Sequence, residues 1–347
     1  MNKIKGQGAI QNIDQRFRKV QYEEYYDDLI WEEKTKAKVE LIKIFPKSVI
    51  NDTKGMPFGY SVNPYQGCEH GCSYCYARSS HEYWSYNAGL DFERKILYKE
   101  NIVGLLKEAF GKKKYIPEPI ALSGNTDCYQ PIESKLKLTR QVLETCLEHN
   151  QPVQILTKNA LILRDLDLLK EMSRKNLINV SLSINSLSED LRLAMEPRTS
   201  TVRKRLKTLE LLSENNIPSF VIMGPIIPAL NSHEVLSIME EVANAGALGA
   251  GMTIVRLNDT VAPVFKEWIE SHYPDRASKV LNQIKELHQG ELGNLKNKSS
   301  RVGTGSISSI IRQTYELGLK KYFSNIEKIP LDCSQFIPKV TNQMKLF

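Results

Sequence analysis

The stretch YSVNPYQGCEHGCSYCYAR, Tyr60 to Arg78, joins a short strand-like run to a loop that holds three of the chain's six cysteines. YSVN reads as a strand, and Gly67 and Gly71 mark a loop whose backbone bends tightly enough to wrap a ligand. Downstream, PIALSG (119 to 124), VQILTK (153 to 158), INVSLSIN (178 to 185), SFVIMG (219 to 224) and AGMTIVRL (250 to 257) also read as strands. Between them TRQVLETCLEH, LRDLDLLKEMSRK, RKRLKTLELLSEN and HEVLSIMEEVANAG carry apolar residues three and four apart, as amphipathic helices do. Six βα units predict an α/β fold with a parallel sheet covered by helices, a partial TIM-like (βα)6 barrel. In a barrel of this kind the residues after each strand line one rim. The cysteine loop, SGNTDCYQP, TKNA, SINSLS and GPIIP are therefore expected to converge.

Around this barrel, assigned to residues 55–260, the sequence divides into an N-terminal extension (1–54), a helical C-terminal region (261–329) and a tail (330–347) with little periodicity, read as extended or disordered. An apolar fraction of 41% over 347 residues supplies a real core. No apolar run approaches the about 18 residues of a membrane span, and the N-terminal residues lack the apolar segment of a secretory signal. A cytoplasmic protein is expected. The formal charge of +7 is compatible with a polyanionic partner but is spread thinly, apart from Lys112 to Lys114 and Lys296 to Arg301.

Cys68, Cys72 and Cys75 form CxxxCxxC. In a reducing compartment clustered thiols bind metal or do redox chemistry. A structural zinc site wants four ligands, for which His70 or His81 is the available fourth. A [4Fe-4S] cluster takes one thiolate per iron, so three cysteines leave one iron open.

This spacing, with Tyr74 before the last cysteine and a strand before the loop, resembles the radical S-adenosylmethionine (SAM) superfamily. Together with ALSGNTDCYQPIE, LTKNALILRDLDLL, SLSINSLSEDLRLAMEPRTSTVRKRL and PIIPALN it resembles the spore photoproduct lyase-like branch, the DNA repair photolyases. The resemblance implies that Cys68, Cys72 and Cys75 hold a [4Fe-4S] cluster and that SAM chelates its open iron. One electron, delivered by a flavodoxin or ferredoxin, then yields a 5′-deoxyadenosyl radical. It further implies that Ser123, Gly124, Asn125 and Thr126 meet the amino group of SAM, Lys158 and Arg198 its carboxylate, and Ser183 and Asn185 its ribose. Each pairing is chemically suited, since carboxylates prefer Arg or Lys and ribose hydroxyls small polar groups. The bland alternative for Lys158 and Arg198 is a solvated charge.

The lyase returns a hydrogen atom through a cysteine, and Gly124 stands at that place here. Cys128, four residues on, is the candidate donor on the rim, against a buried structural thiol. Tyr74 and Tyr76 are candidates to relay a radical; the alternative for Tyr76 is packing. Cys146 reads as core, Cys333 is unassigned, and His81 and Glu82 read as support for the site. The closing residues Gln343, Met344, Leu346 and Phe347 resemble the peptide by which bacterial repair proteins grip the sliding clamp, against an apolar end that packs on its own domain. The expected function is radical SAM chemistry on DNA lesions. Its rivals are the same chemistry on RNA or a protein side chain, and a non-enzymatic, metal-stabilised DNA-binding adaptor.

Overall fold

Short β-branched strands and amphipathic helices alternate along the chain because each buries one apolar face against the other. The computed structural model describes residues 6–13, 39–53, 59–293, 303–324 and 330–338. Six parallel strands, β1 (Tyr60–Val62), β2 (Ile120–Leu122), β3 (Val153–Thr157), β4 (Ile178–Ser183), β5 (Ser219–Ile226) and β6 (Ala250–Ile254), lie side by side in chain order. Their register runs Tyr60 to Ile120, Ile120 to Val153, Val153 to Ile178, Val180 to Ser219 and Val221 to Ala250. A two-residue strand, Asn51–Asp52, adds antiparallel to β1 at one edge, and β6 forms the other. Among the described residues the two edges do not pair, so the barrel is open.

Helices α1 (Ile102–Phe110), α2 (Leu138–Glu148), α3 (Leu166–Arg174), α4 (Val202–Glu214) and α5 (Val235–Asn244) cover the sheet. Four of these turns back to the sheet are built alike. Asn150, Asn176, Asn216 and Gly246 follow α2 to α5 at φ 48°, 55°, 55° and 86°. In each, the next amide reaches back a full turn: Gln151 to Cys146, Leu177 to Met172, Ile217 to Leu212 and Ala247 to Val242, at 2.8–3.0 Å. This left-handed cap satisfies the last carbonyls and aims the chain into the next strand. Asn tolerates it because its short polar side chain offsets part of the roughly 1–2 kcal/mol that other residues lose there. At the other end of α4, the Thr201 hydroxyl accepts the Lys204 amide.

Beyond β6, α6 (Val261–His272), α7 (Pro274–Leu287) and α8 (Gly305–Tyr322) form a helical C-terminal region. The Trp268 indole donates to Ala194 O at 2.8 Å, and α8 lies on α5 with Gly318 against Met239. No described helix is long and apolar enough to cross a membrane.

Two sequence expectations change. The N-terminal extension is woven into the fold: Glu40–Ile44 pairs in parallel with Lys95–Lys99, which on its other side pairs with Tyr65–Gln66 at the root of the cysteine loop. The tail is ordered as far as Pro338. Asp332 N–H donates to Asn176 O (2.9 Å), Ile337 N–H to His149 O (2.8 Å), and the Phe336 ring packs on Phe110, Tyr115 and His149. A segment without periodicity docks when one aromatic finds a ready-made aromatic cleft. These contacts lie at the end of the barrel where β2, β3 and β4 begin, opposite the cysteine loop. Residues 339–347, with the clamp-like end Gln343 to Phe347, lie outside the described residues.

If Phe336 anchors the tail, Phe336→Ala costs about 1–2 kcal/mol, less than a fully buried aromatic because the ring is half-exposed. Urea unfolding of the metal-free protein measures it; an unchanged midpoint would show the tail contributes nothing.

Candidate active site

The cysteine loop leaves β1 and is pinned at both flanks. Gly67, at φ 74°, leaves no room for a Cβ, which would sit 2.7 Å from Lys95 O. Cys68 N–H donates to Phe92 O (2.8 Å), Ser73 N–H to Met195 O (3.0 Å), and Arg198 N–H to His70 O (3.4 Å). The loop thus brings Cys68 and Cys72, both buried, and the half-buried Cys75 together, with no disulfide between them. Burial pushes the Cys72 and Cys75 thiols up and the other thiols of the loop add to it, while Lys158 pulls the other way. Closely set thiols that disfavour one another's ionisation are a donor set in need of a shared cationic centre.

The kind of centre is narrowed by the donor set. Three thiolates suit an iron–sulfur cluster, whose irons each take one thiolate, whereas a structural zinc site takes four ligands. Of the two histidines, His81 packs against Tyr86 and edge-on to Phe92, and His70 faces Asp127.

Asp127, just after β2, is the first of two buried carboxylate hubs. It accepts the Thr157 hydroxyl (2.7 Å) and the amides of Lys158 (2.8 Å) and Tyr129 (2.9 Å), and lies 3.3 Å from His70 Nδ1. Burial opposes its charge, but His70 and Lys158 outweigh burial and hold the carboxyl down at about 2. In the same way burial opposes the His70 imidazolium, yet Asp127 and Cys68 raise it to about 9. The second hub is Glu196. It accepts the Tyr74 hydroxyl and, at 2.6 Å, Arg205 Nη2. Arg205 is tied down further, donating also to Ser183 O (2.7 Å), Ser200 O (2.9 Å) and the Thr199 hydroxyl.

Lys158 stands between these hubs at the end of β3. Burial disfavours its charge, but Cys72, Glu196, Asp127 and Cys75 together outweigh burial, and the ammonium is held more firmly than usual. Its neighbours from β4 are buried: Ser183 makes a long contact to Gly224 O (3.5 Å), and Asn185 donates to the Tyr74 hydroxyl (3.4 Å) while Asn231 holds its carbonyl (2.6 Å). Arg198 donates through Nε to Gly6 O at 2.7 Å.

Residues 123–126 wrap the root of the cysteine loop. Ser123, at φ 72°, accepts the Cys128 amide (2.7 Å), and Gly124 O accepts the hydroxyl of Tyr76, itself 61% exposed. Asn125 N–H donates to Asn63 (2.9 Å) and its side chain to Gln66 and Ser80 (both 3.0 Å); Thr126 donates to Tyr65 O (2.8 Å). Three of these side chains are therefore spent on the protein itself. Of the two readings of Cys128, rim donor or buried structural thiol, its burial favours the second: it lies fully in the hydrophobic core, with its amide and carbonyl taken by Ser123 and Thr139. The single-residue step from Asp127, which faces His70, turns its side chain inward. Cys146 is buried in the core as expected, His81 and Glu82 are buried behind the loop, and Cys333 lies in the docked tail.

Sequence reasoning did not single out Asp127, Glu196, Arg205, Arg78 or Glu93. Asp127 and Glu196 lie inside quoted motifs, and a signal existed in their acidic character beside rim segments. Their partners are distant in sequence, which periodicity does not reveal.

A family model described as the Radical SAM superfamily matches residues 62–242. An uncharacterised protein of Methanocaldococcus jannaschii is 33% identical over 247 residues, covering 71% of this chain and 89% of its own. One of Mycobacterium tuberculosis (strain H37Rv) is 30% identical over 242 residues, covering 68% and 71%. Among solved structures, spore photoproduct lyase complexed with dinucleoside spore photoproduct superposes with a TM-score of 0.56 at 15% identity, covering 82% of this chain and 80% of that one. At such identity this is a likeness of fold.

Replacing Cys68, Cys72 or Cys75 singly with Ala is expected to abolish the visible absorbance and the bound iron and sulfide after anaerobic reconstitution. A variant that keeps a full complement would remove that residue from the ligand set.

Proposed function

This chain belongs to the radical SAM superfamily, and from that premise we propose that it repairs lesions in DNA in the manner of a spore photoproduct lyase. Its cofactors are a [4Fe-4S] cluster and S-adenosylmethionine, which when bound supply a 5′-deoxyadenosyl radical for abstraction of a substrate hydrogen. Cys68, Cys72 and Cys75 hold the cluster. Lys158, fixed at the end of β3 with its charge secured, and Arg198, tethered through Nε, receive the carboxylate of SAM. Ser123, Gly124, Asn125 and Thr126 shape the wall beside its amino group, largely through backbone since three of the side chains are engaged. Ser183 and Asn185 face the ribose, and burial of these polar groups away from bulk water suits a bound hydroxyl partner. Tyr74 donates its hydroxyl to Glu196, and the exposed Tyr76 stands at the mouth, its hydroxyl held on Gly124 O.

The observation that carries this reading is one loop of three thiols facing Lys158 on the rim of an open parallel barrel. The DNA substrate is supported by the likeness of fold to an enzyme bound to a dinucleoside photoproduct. The electron is assigned to a flavodoxin or ferredoxin. The cell's sliding clamp is assigned to Gln343, Met344, Leu346 and Phe347.

A second reading keeps the radical chemistry on another substrate, RNA or a protein side chain. It is favoured by Gly124 and by the burial of Cys128. Among the described residues no thiol other than those of the loop lies at the rim.

The deciding experiment incubates the anaerobically reconstituted enzyme, SAM and a reductant with irradiated DNA and follows products by mass spectrometry. Restored thymidine alongside 5′-deoxyadenosine is expected; cofactor cleavage with unaltered DNA would move the assignment to the second reading. In the same assay Cys128→Ala is expected to leave the product distribution unchanged and to cost about 1 kcal/mol of stability through a small cavity. New side products would restore it as hydrogen donor. A peptide ending at Phe347 is expected to bind the clamp, and Leu346→Ala with Phe347→Ala to abolish binding, at about 2 kcal/mol or more each. A full-length protein that ignores the clamp sinks that assignment alone.

A further inference from the structure

Residues 6–13 lie more than fifty positions before the cysteine loop, yet they run across its back. Glu93, fully buried in the short helix Leu90–Arg94, accepts the amides of Gly8 (3.1 Å) and Ala9 (2.7 Å) and the Arg78 guanidinium (2.6 Å). Arg78, equally buried, passes the connection on, donating through Nε to Cys72 O (2.9 Å) and through Nη1 to Ala88 O and Gly89 O (both 3.0 Å). Strap amides, carboxylate, guanidinium and the carbonyl of a cluster cysteine therefore form one continuous chain.

The fit is backbone on backbone. A Cβ on Gly8 would stand 1.6 Å from Gly71 O, one on Gly71 would stand 2.7 Å from Glu93 Oε2, and one on Gly89 2.4 Å from Gln11 O. Gly71 also takes φ 65°, so the loop and the strap each need glycine at their crossing. At its far end the strap is locked by Asn12, which accepts the Leu90 (2.9 Å) and Asp91 (3.3 Å) amides, and by Asn87, which accepts the Ile13 amide (3.0 Å). At its near end Gly6 O holds Arg198 Nε (2.7 Å).

We propose that the strap from Gly6 to Ile13 is a working part of the cofactor site, with Glu93 the positioning residue that ties it to the Cys68–Cys72 turn. The strap keeps water off the back of that turn, fixes the carbonyl of Cys72, and orients Arg198 toward the mouth. A buried carboxylate and guanidinium are tolerable only while their hydrogen bonds are complete, so loosening the strap frees the turn that carries two of the three thiols. The inference rests on the cluster and SAM reading above.

The test uses the full-length protein with Gly8→Ala, with Glu93→Gln, and with Gly104→Ala as control, since a Cβ at Gly104 meets nothing within 4 Å. After anaerobic reconstitution, three quantities are read: the rate of cluster bleaching in air, the SAM concentration that half-converts the electron paramagnetic resonance signal of the reduced cluster, and the thermal midpoint of the metal-free protein. Groups that support a metal site by orienting its ligands are worth about 10–100-fold in affinity. Both strap variants are expected to bleach about 10-fold faster and to need about 10-fold more SAM, with the control unchanged. If Gly8→Ala does not fold, Glu93→Gln, which keeps the side chain's volume, decides. Strap variants that lose thermal midpoint but bleach and bind SAM as the wild type does would overturn the proposal, as would variants equal to the control. A wild-type protein that takes up no cluster overturns the cofactor reading and this inference with it.

Discussion

The carboxylate of Asp127 is the constraint on which the site depends. It gathers a hydroxyl and an amide from the end of β3, an amide from its own turn, and the imidazole of His70 from the cysteine loop. A carboxylate in a dry interior is costly unless its lone pairs are met, and these four partners come from three separate segments. Moving any one leaves charge uncovered. The loop's height over the rim is therefore set by one residue of β2's turn, and Lys158 leaves the same anchored backbone.

The barrel was legible because its signals are local. Each strand is a short run of apolar residues, each helix shows its own three-and-four spacing, and Asn150, Asn176 and Asn216 punctuate three returns to the sheet where a left-handed residue is required. The cysteine spacing was legible for the same reason. What escaped depends on contacts between distant positions. Glu93 meets Gly8 across 85 positions, and Tyr74 meets Glu196 across 122. The strap has no apolar period at all; its fit comes from missing side chains, which in a sequence look like a flexible loop. Phe336 likewise docks through one ring, too little to register as a pattern.

The rim after β2 shows how packing claims the polar groups of a motif. Ser123 to Thr126 do lie against the cysteine loop, but the hydroxyls and amides that seemed available to a ligand are used to hold Asn63, Tyr65, Gln66 and Ser80. A short segment under a tight loop satisfies its neighbours first, because each unmet polar atom there costs about 1–3 kcal/mol. Cys128 follows the same logic. Asp127 must face His70, so the next side chain turns into the core.

The pairing of charges gives the site its polarity. Asp127 has His70, Glu196 has Arg205 and Glu93 has Arg78, each a buried acid with its own base. Among the described residues Lys158 and Arg198 have no carboxylate within ion-pair distance. Cys72, Glu196, Asp127 and Cys75 surround Lys158 and together secure its proton against burial. A half-buried cation without an ion-pair partner costs stability, and groups of that kind cluster at functional sites. Lys158, fixed by the barrel, and Arg198, tethered by the strap, both lie beside the thiol loop, so a regular element legible in the sequence and a segment without periodicity meet at one place.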